Sequence, residues 1–226
     1  MGNFAYNNPN YIFPQTKTED FALEAINIGH PLISKADCIT NNFNISGWNQ
    51  MTIVTGANMA GKSTFLRTIG TNILLGTMGA PVFADKFTFT PIEIYSSIRT
   101  SDSLAKNESY FYAELKRLKA IINELEKGIP KFILLDEILK GTNSQDKQSG
   151  SIELIKHLLQ YHFVGIFATH DQALGELINL YPNNVKNACF EISFNNEQMI
   201  IDYKIRDGIC KNLNATYLMK KMGIIS

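Results

Sequence analysis

The segment Gly56-Ala57-Asn58-Met59-Ala60-Gly61-Lys62-Ser63-Thr64 constrains this chain more than any other stretch. It fits the pattern G-x-x-x-x-G-K-[ST], and its flanks supply the context that gives the pattern meaning. Met51 to Thr55 is apolar and β-branched and reads as a buried strand, while Phe65 to Ile69 reads as a helix. A loop at a strand-to-helix turn presents unpaired backbone N–H groups and the positive end of a helix dipole, so it favours an anion. Gly56 and Gly61 permit the torsions of a wrap around phosphates. Lys62 is positioned for the β- and γ-phosphates, and the Ser63 hydroxyl for Mg²⁺. The whole run from Gly56 to Thr64 is therefore expected to bind a nucleoside triphosphate.

A second signal lies downstream. Phe132-Ile133-Leu134-Leu135 is a continuous apolar run that ends in Asp136-Glu137, so a buried strand delivers two carboxylates to the sheet edge where phosphates bind. Asp136 is the candidate for holding Mg²⁺, directly or through water. Glu137 points the other way and is placed to polarise an attacking water. Another buried strand, Val164 to Phe167, closes on Ala168-Thr169-His170. His170 then stands at the same edge as the two acids and can donate to the γ-phosphate or to water. His30, His157 and His162 have no comparable context and read as structural.

Strands alternating with helices after a phosphate loop predict a P-loop NTPase, an α/β fold of three layers with a mostly parallel central sheet. Its N-terminal part reads as β-rich, with Cys38-Ile39, Phe43 to Ile45 and Trp48 to Thr55, then Phe87 to Thr90 and Ile92 to Ile98. Leu115, Leu118, Ile122 and Leu125 recur at helical spacing up to the stop at Gly128-Ile129-Pro130. Further helices are expected over 148–160, 171–180 and about 213–222. Phe190 to Phe194 and Met199 to Ile205 bracket Asn195-Asn196 as a hairpin. Residues 1–24 read as a loosely ordered lead-in rich in Asn, Pro and Thr, and 25–226 as the nucleotide-binding domain.

Composition limits the partners. The 226 residues carry 21 basic and 21 acidic side chains, so no basic field advertises nucleic-acid binding by this chain itself. Cys38, Cys189 and Cys210 are odd in number and far apart, which suggests neither disulfides nor zinc and makes the cytoplasm the expected compartment. The N-terminus reads as neither a signal peptide nor an acylation site, since Tyr6 stands where Ser or Thr would be needed. No run of 18 apolar residues predicts a membrane span.

Together, Gly56 to Thr64, Leu135-Asp136-Glu137-Ile138 followed by Lys140 to Ser144, and Phe167-Ala168-Thr169-His170 resemble the ATPase domain of MutS-type DNA mismatch repair proteins, of the ABC-ATPase class. Asn58-Met59 inside the loop is far more specific than the generic pattern, and His30-Pro31-Leu32, Asn41 and Asn44-Ile45 also match upstream. The resemblance covers about residues 25 to 222. It implies ATP and Mg²⁺ as ligands, hydrolysis of ATP, and a homodimer closing on two composite ATP sites, with DNA bound by other domains. It makes Ser109, within Glu108 to Glu114, the serine that reaches the γ-phosphate on the partner subunit, alongside an ordinary helix-cap reading of that residue. It gives Asn58 a role in positioning the γ-phosphate or the water, and Asp146 one in communication between the two sites. Ile39, Met59 and Tyr203 are assigned to the adenine. Ala57 and Ala60 replace the usual Pro and Gly, Tyr110 the usual Thr, and Asn143 the usual Ser. A Phe-x-Glu mismatch wedge and its lever helices have no place ahead of residue 25, so an excised ATPase domain and a reduced relative are both expected alternatives. A nucleotide-gated interaction module with slow or no turnover, in a MutS-related protein with a role other than mismatch correction such as recombination intermediates, competes with an ATPase engine. A small-molecule kinase fits poorly.

Overall fold

Two sheets and the helices on them account for nearly every apolar run. A computed structural model describes residues 2–98, 110–139, 141–195, 198–210 and 225. The larger sheet has six strands: β4 (Gln50–Gly56), β6 (Ile94–Ser97), β7 (Lys131–Asp136), β8 (Phe163–Thr169), β9 (Val185–Asn195) and β10 (Gln198–Asp207). Their order is β10-β9-β4-β8-β7-β6, parallel throughout except for the β9–β10 hairpin. The smaller sheet holds β1 (Gln15–Thr16), β2 (Ala22–Ile28), β3 (Asn41–Ser46) and β5 (Lys86–Phe89), in the order β1-β5-β2-β3.

Alternation along the central strands explains the layering. Phe132, Leu134, Val164, Ile166 and Val54 face one side and pack with Phe65, Leu66, Ile69 and Ile73 of helix α2 (Lys62–Thr77). The small sheet contributes Leu23, Ala25, Phe87 and Phe89 to the same cluster. Ile133, Leu135, Phe163, Phe167 and Ile53 face the other side, against helix α3 (Tyr110–Leu125) and helix α4 (Ser144–Leu158) through Leu118, Ile122, Leu125, Ile155 and Leu158. A sheet covered on both faces needs continuous apolar strands, and β7 and β8 have them. The result is the three-layer α/β architecture expected from the sequence.

Gly165 sits in the middle of β8, where a Cβ would come within 2.8 Å of the Ile133 carbonyl oxygen on β7. That neighbour is backbone in the central sheet and has nowhere to move. Gly165→Ala is expected to lose about 1–3 kcal/mol of stability, read as a lower urea midpoint at unchanged m-value.

Several boundaries differ from expectation. β2 reads too mixed to announce itself and was absent from the expected elements; its Glu24 and Lys86 pair across to β5 on the exposed face. Cys38-Ile39, expected as strand, lies in a loop. Helix α4 begins at Ser144, not 148, because Asn143 caps it by accepting from the Asp146 N–H. Residues 171–180 form a 3₁₀ turn, Gln172–Glu176, and one helical turn, Leu177–Leu180. The hairpin strands run longer than expected, and β10 carries a register shift between Ile201 and Ile205. In the lead-in, Gly2–Asn7 is a short helix, Ile12 bridges to Val82, and β1 pairs with β5. The helix expected at 213–222 and the tip residue Asn196 lie outside the described residues. Among the described residues, no helix is long and apolar enough to cross a membrane.

Candidate active site

Strand order brings the scattered signals to one edge. β8 lies between β4 and β7, and the register aligns Val54, Ala168 and Asp136 across the three strands. The phosphate loop leaves β4, the acid pair leaves β7, and His170 leaves β8 between them, all at the C-terminal end of a parallel sheet. That edge is where open α/β sheets bind ligands.

Glycine makes the loop possible. A Cβ on Gly56 would come within 2.7 Å of the Phe190 carbonyl oxygen on β9, so only glycine lets β4 turn there. Gly61 ends the loop in the left-handed region at φ 109 and starts α2 without a side-chain cap. The first N–H groups of α2 are thus left to an anion. Asn58 and Met59 are exposed at the tip, Met59 with φ 71, while Ala60 is buried. Ala57 and Ala60 therefore leave the turn intact.

The side chains form one connected set. Lys62 is only 5% exposed, and its Nζ donates to the carbonyls of Gly56 (2.6 Å) and Ala57 (2.9 Å). The same nitrogen lies 3.8 Å from Glu137 Oε1. Ser63 Oγ donates to Asp136 Oδ2 at 2.6 Å, joining the start of α2 to the end of β7. Glu137 sits one residue past the strand at φ 49, its N–H held by the Ala168 carbonyl at 2.9 Å. A non-glycine residue in that region is uncommon and carries local strain, and Leu139, at φ 59, repeats it two residues later. His170 Nδ1 approaches Glu137 Oε1 to 3.2 Å outside hydrogen-bond geometry, and that nitrogen is buried although the ring is half exposed.

The donor set fits a triphosphate with a magnesium ion. Among the described residues, no three His, Cys, Asp or Glu side chains cluster as a closed metal site. Ser63 and Asp136 supply only two oxygens, which suits Mg²⁺, an ion that keeps waters and takes ligands from phosphates.

Beside the loop is a cavity of about 280 Å³ lined by Ile39, Cys38, His30, Asn41, Thr64, Thr68, Phe190 and Tyr203, with Gly61 at its wall. Ile39 and Tyr203, expected at the base from resemblance alone, thus come together across the gap; Met59 does not line it. Gly61 and Thr64 belong to the expected phosphate loop, whereas Cys38, His30, Thr68 and Phe190 were not expected at the site because no local pattern marks them. Phe190 reads as an ordinary strand residue, and His30 as structural. Burial, then the positive charge of Arg67, holds His30 below its ordinary pKa. Its Nδ1 accordingly accepts from the Leu32 N–H at 3.2 Å.

Asp146 is occupied in a reciprocal cap: its N–H donates to Asn143 Oδ1 (2.9 Å), and Asn143 Nδ2 donates back to its carboxylate (2.7 Å). Ser109 and Lys140 lie outside the described residues. Burial pushes the Cys189 thiol up to about 11, so it is neutral and inert at neutral pH.

Comparison with known proteins agrees with this fold. A profile of MutS domain V matches residues 52–224. The chain is 32% identical over 196 residues to human MutS protein homolog 4, covering 82% of this chain and 20% of that protein. It is 28% identical over 209 residues to endonuclease MutS2 of Streptococcus pyogenes serotype M49, covering 92% and 26%. It is also similar to the DNA mismatch repair protein MutS of Finegoldia magna, 32% identical over 215 residues, covering 92% and 24%. The chain thus spans between a fifth and about a quarter of the length of these relatives.

Proposed function

The chain belongs to the MutS family, as its domain V, and from that premise we propose that it binds ATP with Mg²⁺, hydrolyses it, and acts as a nucleotide-driven dimer switch for DNA-binding domains outside these residues. The observation that carries this reading is the Ser63–Asp136 hydrogen bond with Glu137 beside Lys62. It ties the phosphate-binding helix to the strand end that bears both acids.

Each side chain then has work to do. Gly56 to Thr64 would wrap the phosphates, and Lys62 would exchange its loop carbonyls for phosphate oxygens without leaving its buried position. Ser63 and Asp136 would hold Mg²⁺, which supplies charge neutralisation between phosphates. Glu137 would accept a proton from the attacking water, and His170, at its flank, would orient that water or donate to the γ-phosphate. Asn58, exposed at the loop tip, would help fix the γ-phosphate. Ile39 and Tyr203 would flank the adenine. Ser109 of one subunit would complete the site of the other, so closure of the dimer and hydrolysis become one event.

Sedimentation velocity with Mg²⁺-ATP, with ADP and without nucleotide tests this, run beside an assay of phosphate release. A dimer seen only with ATP, together with phosphate release, is the expected result. Phosphate release from a strict monomer removes the switch and keeps the ATPase. Binding of ATP with no release favours a nucleotide-gated module instead.

A further inference from the structure

The wall of the base cavity is not a plain strand. β10 slips register between Ile201 and Ile205, and Tyr203 stands in that bulge in the left-handed region, at φ 53. A tyrosine does not adopt this conformation unless its surroundings impose it. Here Asn41, the first residue of β3 and 9% exposed, imposes it from the other sheet. Its Nδ2 donates to the Tyr203 carbonyl at 3.0 Å, and its Oδ1 accepts from the Ile205 N–H at 2.8 Å. Lys204 Nζ adds a bond to the Thr40 carbonyl at 2.5 Å, and Asp202 Oδ1 accepts from the Lys204 N–H at 3.0 Å. The ring that results lies against the phosphate loop: a Cβ on Gly61 would sit 3.1 Å from Tyr203 Cδ1.

We infer that Asn41 is a positioning residue for nucleobase binding: it locks the β10 bulge so that Tyr203 is presented as a preformed stacking platform over Gly61. This rests on the ATP reading of the site and adds to it the element that fixes the base. Both ends of one buried amide are spent on the two backbone groups that flank the bulge, a use that specifies geometry. The residue joins the two sheets where the small sheet, through Ile28 and Asn41, borders the cavity. A rigid, pre-oriented ring loses little entropy on binding, so an aromatic stack on a base adds to affinity without an ordering cost. The platform suits any planar purine, whereas the phosphates are held by residues that Asn41 does not touch.

Separating base from phosphate gives the test. Affinities for Mg²⁺-ATP and for Mg²⁺-tripolyphosphate, which has no base, are measured by calorimetry for wild type, Asn41→Ala, Tyr203→Ala and the double variant. Asn41→Ala is expected to weaken ATP roughly tenfold, from lost stacking, with tripolyphosphate unchanged within about twofold. The double variant is expected to bind ATP no worse than Tyr203→Ala, since the two changes act on one interaction. Asn41→Asp keeps the acceptor for the Ile205 N–H, loses the donor to Tyr203, and gives the same selective loss if the alanine variant does not fold. Equal weakening of both ligands, or no weakening of ATP, overturns the inference and leaves the ATP reading standing. Wild-type protein that binds neither ligand overturns both.

Discussion

Lys62→Ala is expected to lower the affinity for Mg²⁺-ATP by roughly a hundredfold, because it deletes charge-assisted bonds to two phosphates in a site sheltered from solvent. Lys62 is nearly buried, and its stem is fixed at the first turn of α2. Its Nζ already rests on the carbonyls of Gly56 and Ala57, so binding exchanges one set of acceptors for another without ordering a free chain. Alanine also takes away the donor those carbonyls use, and loosening of the loop could mimic loss of the phosphate contact. Lys62→Met separates the two: it keeps an unbranched stem in place and removes only the charge. Both variants are therefore expected to lose ATP alike while melting within a few degrees of wild type. Wild-type affinity in either one would refute the assignment of the loop.

Legibility followed how local each signal was. The phosphate loop, the acid pair and His170 are strings of adjacent residues, each fixed by a strand that ends where the string begins. Reading the strand was enough to place these residues at one sheet edge. The order β4-β8-β7 then made their convergence unavoidable. β2 was missed because it is half exposed, with Glu24 and Asn27 interrupting its apolar positions. Of the cavity beside the loop, family resemblance made only Ile39 and Tyr203 legible, since His30, Asn41, Phe190 and Tyr203 come from four separate segments joined by tertiary contacts. The bulge at Tyr203 had no signal at all: neither glycine nor proline marks it, and its cause is an asparagine in another sheet.

This division has a mechanical reading. Phosphate contacts would come from the loop and α2, held by the central sheet, while the base contacts would come from the junction of the two sheets. A nucleotide bound to both would bridge them. ATP and ADP differ only at the γ-phosphate, which would meet the edge bearing Glu137 and His170. Any difference the protein senses between the two nucleotides must therefore start there, where the backbone of Glu137 is already strained at φ 49.

Glu137→Gln tests that edge most directly, and phosphate release is expected to fall by at least about a hundredfold while ATP affinity stays within about threefold. Glutamine preserves shape, so the turn at φ 49 and the bond from its N–H to Ala168 are retained. What disappears is the negative charge 3.8 Å from Lys62 and the carboxylate assigned to take a proton from water. Losing that charge frees Lys62 from a competitor to the phosphates, so ATP binding is not expected to weaken and can tighten. With binding retained and turnover gone, the ATP-bound form accumulates, and association driven by ATP should outlast that of wild type in sedimentation. His170→Ala, by contrast, removes a group that touches Glu137 only at its flank, and is expected to cost less in turnover than Glu137→Gln. Equal losses from the two would make them a single unit. Undiminished hydrolysis in Glu137→Gln would move the base elsewhere and end the case for this edge as the catalytic one.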